Sequence, residues 1–236
     1  MTQIAYEGDE LRLFQDARRW KAYFSREMRA FIRGRVLEVG AGIGGTTRLF
    51  MDAPFESWLC IDPDREHVAQ LRSLVASGEL PSRCLVEEGT LEDLGNGAGT
   101  FDTILYIDVL EHIADDRAEL RDASERLAPH GHVLVLSPAH PWLYSPFDRK
   151  IGHHRRYTKA SLAALAPDDL ALVRLAYLDT AGLLASFANR ALLRSADPTR
   201  AQIRFWDDVL VRASERIDRV LAYRLGKSVL GVWEKR

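Results

Sequence analysis

Cysteine is scarce in this chain. Only Cys60 and Cys84 occur among 236 residues, each inside a short apolar run. That excludes a disulfide framework and any C-x-x-C zinc or redox spacing, and reads as two buried thiols. No H-E-x-x-H pair is present either. No apolar run approaches the roughly 20 residues that cross a bilayer, and the N-terminal segment lacks the order of a secretory signal. The expectation is a cytoplasmic protein with no stable membrane insertion. Neither sign of charge dominates: 32 Lys and Arg stand against 34 Asp and Glu, a formal net charge of −2. A chain without a basic field is a poor candidate for nucleic-acid binding. Internal repeats and low-complexity tracts are also missing. What remains is 47% hydrophobic, enough to bury a full core in one domain spanning 1–236.

The most informative stretch is Val36-Leu37-Glu38-Val39-Gly40-Ala41-Gly42-Ile43-Gly44-Gly45-Thr46-Thr47. Apolar residues open it, a glycine-rich turn interrupts it, and a helical run follows through Arg48, Leu49 and Phe50. Strand, tight loop and helix start make the opening of a βαβ nucleotide-binding unit. A second strand, Ser57 to Asp62, ends in an acid about twenty residues further on. A carboxylate there accepts hydrogen bonds from the ribose hydroxyls of an adenosine cofactor. NAD and S-adenosylmethionine (SAM) both carry that ribose. A dinucleotide loop favours G-x-G-x-x-G against a pyrophosphate; here the spacing is G-x-G-x-G-G, with Glu38 inside the strand. A carboxylate suits a cationic amino and sulfonium cofactor and repels a pyrophosphate.

Glu38-Val39-Gly40-Ala41-Gly42-Ile43-Gly44 resembles motif I of class I SAM-dependent methyltransferases. Further landmarks follow in order: Asp62, the Glu88-Gly89-Thr90 turn, Phe101-Asp102 leading to Leu110-Glu111-His112-Ile113, and Pro129-His130-Gly131 before a fifth strand. They are similar to the later motifs of that family, and the resemblance covers roughly residues 36–137. It implies a doubly wound α/β fold of seven strands with strand 7 antiparallel and an N-terminal helix; where the family joins strands six and seven by a hairpin, this sequence has a long stretch between them, expected to form a C-terminal helical insertion at about 179–227. It also implies site residues: Glu38, Gly40, Ala41, Gly42 and Gly44 at the methionine end, Asp62 at the ribose, Pro63, Thr90 and Leu91 near adenine, and Asp108 and Val109 beside the sulfonium. Many members place an Asp where Thr90 stands, so a side-chain contact to adenine is not implied there.

Expected helices cover Asp9 to Ile32, Asp64 to Ala76, Asp115 to Leu127, Thr180 to Arg194 and Ala201 to Leu225. Further strands are expected at Arg83 to Glu87, Phe101 to Ile107, His132 to Ser137, Leu170 to Leu178 and Ser228 to Trp233. Tyr6, Trp20 and Tyr23 on the N-terminal segment either cap the sheet or close over a cofactor. The long irregular segment Pro138 to Lys159 holds Gly152-His153-His154-Arg155-Arg156-Tyr157. A loop of that length at the strand ends is a functional candidate. His153, His154 and Tyr157 are the catalytic candidates, because methyl transfer to oxygen needs in-line positioning and a proton acceptor near neutral pKa. Arg155 and Arg156 pair with acids or bind an anionic acceptor. Asp108, Glu111 and His112 can hold a divalent ion, but Leu-Glu-His is widespread in family members that are not metal-dependent, so no metal is expected.

The functional expectation is SAM-dependent methyl transfer to an O or N atom of a small molecule, a sugar or glycan acceptor, or a secondary metabolite, as in natural product biosynthesis. The loop from Pro138 onward resembles a small bacterial type-11/12-like subgroup of these methyltransferases. Two alternatives stand beside it: a SAM-binding protein that does not methylate or assists another reaction, and an NAD(P)-dependent oxidoreductase. Oligomeric state is not legible.

Overall fold

In the computed structural model, which describes residues 16–95, 99–188 and 199–236, seven strands form one sheet. They are β1 (Gly34–Val39), β2 (Phe55–Asp62), β3 (Cys84–Glu88), β4 (Phe101–Ile107), β5 (Leu127–Pro138), β6 (Leu170–Leu178) and β7 (Ser228–Lys235). Their order is β3-β2-β1-β4-β5-β7-β6. The first five pair in parallel, and β7 lies antiparallel to both β5 and β6. Alternate residues feed two cores. Val36, Trp58, Cys60, Leu105, Leu134 and Val232 face one way; Leu37, Leu59, Ile61, Ile104, Val133 and Trp233 face the other. This is the period-two pattern of strands buried on both faces.

The first face is covered by α1 (Arg18–Met28), α2 (Arg65–Ala76) and the helices between β6 and β7; the second by α3 (Asp116–Glu125) and α5 (Lys159–Ala163). A short helix, α4 (Pro146–Lys150), lies in the segment after β5. Helix α1 buries Trp20, Tyr23, Phe24 and Met28, a single face at helical spacing. Asp64 caps α2, accepting from the Glu66 and His67 amides at 2.7 and 3.3 Å.

Between β6 and β7 the chain runs through α6 (Thr180–Ala188), α7 (Arg200–Phe205), a π-helical turn (Trp206–Val211) and α8 (Arg212–Val220). The π turn aims Asp207 at the start of α1, where its carboxylate accepts from the Arg19 and Trp20 amides at 3.1 and 2.8 Å. An insertion residue therefore caps the N-terminal helix, satisfying two of the donors a helix start leaves open. Asp218 accepts from Tyr23 Oη at 2.7 Å and from the Asp179 and Thr180 amides at 2.7 and 3.0 Å. Asp179 in turn accepts from Ser214 and Trp206, each at 2.7 Å. Three buried acids thus sew the insertion to α1 and to the end of β6.

Three expectations shift. The Pro129-His130-Gly131 turn is absorbed into a twelve-residue β5, whose pairing jumps from Phe101↔Leu127 to Thr103↔His132. His130 takes a positive φ of 62° there, so the extra residues form a bulge and not a separate turn. The long C-terminal helix ends at Val220, because Ala222 and Tyr223 adopt left-handed φ of 48° and 56°. The expected N-terminal helix is described from Arg18 onward; Tyr6, and the end of the helix expected through Arg194, lie outside the described residues.

Candidate functional site

The carboxyl ends of β1, β2, β4 and β5 lie side by side at one edge of the sheet, the position where doubly wound sheets take ligands. At β1 the Gly40 and Ala41 amides bond to Ile61 O at 2.9 and 3.1 Å, and the Gly42 amide donates to Asp62 Oδ2 at 2.8 Å. Gly40 has φ 67°, and a Cβ there would lie 2.6 Å from Val109 Cγ2. That position accepts only glycine, because conformation and space both forbid a side chain. Val109, following Asp108, thus forms the wall against which the loop lies.

Glu38 sits beneath the loop, 2% exposed. Its Oε2 accepts from Thr47 Oγ1 at 2.7 Å and Trp58 Nε1 at 2.9 Å. Burial pushes its carboxyl up to about 7, against the downward pull of those two hydrogen bonds. The carboxylate therefore fastens the turn at Thr47–Phe50 to β1 and β2. Asp62 closes the other side: besides Gly42, it accepts at Oδ1 from the Asp64 amide (2.9 Å) and meets His67 Nδ1 at 3.1 Å. That contact raises the His67 pKa against the effect of burial. Pro63 is exposed and Leu91 buried. Thr90 is exposed, with its amide and hydroxyl both turned to Asp93 Oδ2 at 2.8 Å.

Asp108 leaves β4 with φ 54°, and its amide bonds to Leu136 O at 2.8 Å. The side chain is open to solvent within the cleft. Surrounding protein raises its pKa by desolvation, opposed by the charges of His153, Lys227 and Lys21. The two lysines had no signature in the sequence. Lys21, on α1, places Nζ 3.2 Å from where a Cβ of Gly45 would stand, so it reaches over the glycine loop. Lys227, just before β7, lies 5.1 Å from the Trp206 ring, and burial lowers its pKa.

The segment after β5 is ordered around another residue the sequence reading missed. Asp148 is fully buried. It accepts from Arg156 Nε and Nη2 (2.7 and 3.0 Å), from the Ser145 amide and Oγ (2.8 and 2.7 Å), and pairs with His153 Nδ1 at 3.0 Å. Burial alone would raise its pKa, but the bonds from His153 and Arg156 hold the carboxyl well below the usual range. The signal that could have found it is the capping box Ser145-Pro-Phe-Asp148.

The three catalytic candidates separate in space. His153 is 8% exposed, with Nε2 3.8 Å from Glu111 Oε1. His154 is exposed, its amide bonded to Glu111 O at 2.8 Å. Tyr157 is buried, and its hydroxyl donates to Asp116 Oδ2 at 2.8 Å; burial, then that bond, drives its pKa far upward. Arg155 meets the same Asp116 at 2.5 Å. Tyr157 and Arg155 thereby anchor the segment to the start of α3.

The family described as "Methyltransferase domain" matches residues 11–192. Over 111 residues the chain is 29% identical to the ubiquinone biosynthesis O-methyltransferase of Azorhizobium caulinodans, which covers 47% of this chain and 43% of that protein. Over 108 residues it is 30% identical to the ajmaline N-methyltransferase of Rauvolfia serpentina, covering 44% and 36%. The chain therefore spans less than half the length of these curated relatives. Among solved structures, the geranyl diphosphate methyltransferase in complex with SAM superposes with a TM-score of 0.67 at 14% identity, covering 99% of this chain and 93% of that one. The fold is shared across that distance, and by the match over most of its length this chain belongs to the methyltransferase-domain family.

Proposed function

We propose that this protein transfers the methyl group of SAM to an oxygen or nitrogen of a small molecule. The observation that carries the reading is the cleft itself. A glycine loop bonded to β2 through its amides, an acid at the end of β2, and Asp108 under the charges of Lys227 and Lys21 stand at neighbouring strand ends. In this reading Gly40, Ala41, Gly42 and Gly44 receive the methionine end, with Glu38 holding the loop from below. Lys21 pairs with the methionine carboxylate, and Asp62 exchanges its Gly42 and His67 contacts for the ribose hydroxyls. Pro63, Thr90 and Leu91 border adenine, while Asp108 and Val109 flank the sulfonium.

Methyl transfer is an in-line displacement. The acceptor atom forms a bond to the methyl carbon as the C–S bond breaks, and the bonding pair leaves with sulfur to give neutral S-adenosylhomocysteine. The protein's task is alignment, exclusion of water, and uptake of the acceptor's proton. In this reading His154, which is exposed, takes that proton, His153 is buried beside Glu111, and Tyr157 anchors the segment. The relatives' names, an O-methyltransferase and an alkaloid N-methyltransferase, support a small-molecule acceptor. A sugar or secondary metabolite of a small bacterial subgroup is the finer form of the proposal.

The test supplies methyl-labelled SAM with extracts of the producing cells and counts label in lipid, water-soluble and macromolecular fractions. Label in a small-molecule fraction, lost with His154→Ala, is the expected result. Label in protein or nucleic acid overturns the acceptor class. SAM bound with no label transferred overturns the transfer itself.

A further inference from the structure

Among the described residues one group of side chains has the composition and spacing of a metal site: Glu111, His112 and His153, whose ligand atoms all lie within 4.8 Å of one another. It differs from the trio visible in the sequence. Asp108 is not part of it, and its third member arrives from the segment after β5. Glu111 is fully buried and His153 nearly so, while His112 is partly exposed. The two imidazoles meet edge to face, ring centres 4.6 Å apart. His153 Nε2 and Glu111 Oε1 are 3.8 Å apart, too far for a hydrogen bond. An ion with bonds of about 2.0–2.2 Å would bring them together by roughly an ångström.

Each member is also oriented from behind. His153 has Nδ1 against the Asp148 carboxylate at 3.0 Å, which leaves Nε2 as the nitrogen turned to the cluster. Glu111 Oε2 accepts from Ser137 Oγ at 2.9 Å, which turns Oε1 toward His153. His112 bonds to the backbone of Gly152, the residue before His153. A carboxylate or backbone oxygen behind each imidazole is the arrangement that fixes tautomer and ring angle in metal-ligating histidines. The loop that carries His153 is itself tied down, by Arg156 on Asp148 and by Tyr144 Oη on His153 O at 2.6 Å.

We infer that Glu111, His112 and His153 bind a divalent transition-metal ion of the zinc type at the acceptor side of the cleft. Two nitrogens and one carboxylate oxygen suit Zn²⁺, Mn²⁺ or Co²⁺ better than the all-oxygen preference of Mg²⁺ or Ca²⁺. Three protein ligands leave a coordination position open, as in catalytic sites and unlike closed structural ones. His153 also acts electrostatically on Asp108, so the site borders the place assigned to the sulfonium. The inference rests on the methyl-transfer reading only for its consequence: the acceptor would be a hydroxyl compound, to whose oxygen the ion held by Glu111, His112 and His153 would supply Lewis acidity.

The test reads the metal without SAM. The full-length chain is stripped with a chelator, then titrated with Zn²⁺ by calorimetry and with Co²⁺ by visible absorption. One equivalent bound, a raised melting temperature, and a Co²⁺ spectrum of mixed nitrogen and oxygen ligation are expected. His153→Ala and Glu111→Gln should each weaken binding by about 100-fold, while His130→Ala, at an exposed histidine elsewhere, should not. Where His153→Ala melts early, His112→Asn supplies the same comparison. No uptake, or uptake that survives both His153→Ala and His112→Asn, overturns the site. SAM affinity measured separately on the stripped protein shows whether the methyl-transfer reading stands or falls on its own.

Discussion

The two regions assigned here to the cofactor and to the acceptor, the glycine loop and the segment after β5, are built by opposite means. On the cofactor side, neighbours in sequence are neighbours in space: the glycine loop bonds to Ile61 and Asp62, about twenty residues on, mostly through backbone amides. On the acceptor side, side chains do the holding, often across long separations. Tyr157 reaches Asp116 across 41 residues, and Arg155 meets the same carboxylate; the insertion works in the same way on α1, where Asp207 and Asp218 hold Trp20 and Tyr23 across 187 and 195 residues. A ligand common to a whole family can be met by backbone and a few invariant shapes. Segments held by side-chain networks can be retuned for a different acceptor without disturbing the sheet.

The sharpest way to break this contrast is Asp148→Ala. It leaves Arg156 and His153 buried without their carboxylate, which should cost about 3–5 kcal/mol, read as a fall in urea midpoint. If the two sides are separable, SAM affinity measured below that midpoint stays near wild type; a parallel collapse of SAM binding would show one cooperative site.

Next in size is Glu38, whose pKa burial lifts beneath the glycine loop. It ionises near 7 when folded and near 4.5 when unfolded. Its protonated form therefore favours the native state below about pH 4.5, and that contribution is lost as pH rises through 7. The full swing is ~3 kcal/mol. Glu38→Gln keeps an acceptor for Thr47 and Trp58 and should flatten the fall in stability between pH 5 and 8. An unchanged slope would mean that the loop is held by something else.

Lys21 sharpens the comparison, because α1 delivers it to the cofactor side while the insertion fixes α1. Lys21→Met should weaken SAM binding about tenfold, or about 1.4 kcal/mol, and leave 5′-methylthioadenosine, which lacks the carboxylate, unaffected. Equal losses for both would make Lys21 structural. The smallest effect belongs to Asp207→Asn, which loosens the cap on α1 for about 1 kcal/mol. Thermal melts should record a drop of a few degrees, and SAM affinity should follow it weakly if Lys21 is positioned through that cap.

The sequence by itself determined the strands, the glycine loop, Asp62 and the family, because these follow from local periodicity and from conformations only glycine tolerates, as at Gly40. It also placed Leu170–Leu178 as β6 and Asp64 as a cap, both local patterns. It named His153, His154 and Tyr157 as candidates in one segment but could not rank them, since burial separates them: one against Asp148, one in solvent, one on Asp116. Only the tertiary structure decided that Lys21 overlies the loop, that Asp148 is the hub of the acceptor segment, and that His153 joins Glu111 and His112. The reason is physical. A charged side chain carries no periodic signal of its own, and its role is set by which distant residues the fold brings within about 3 Å of it.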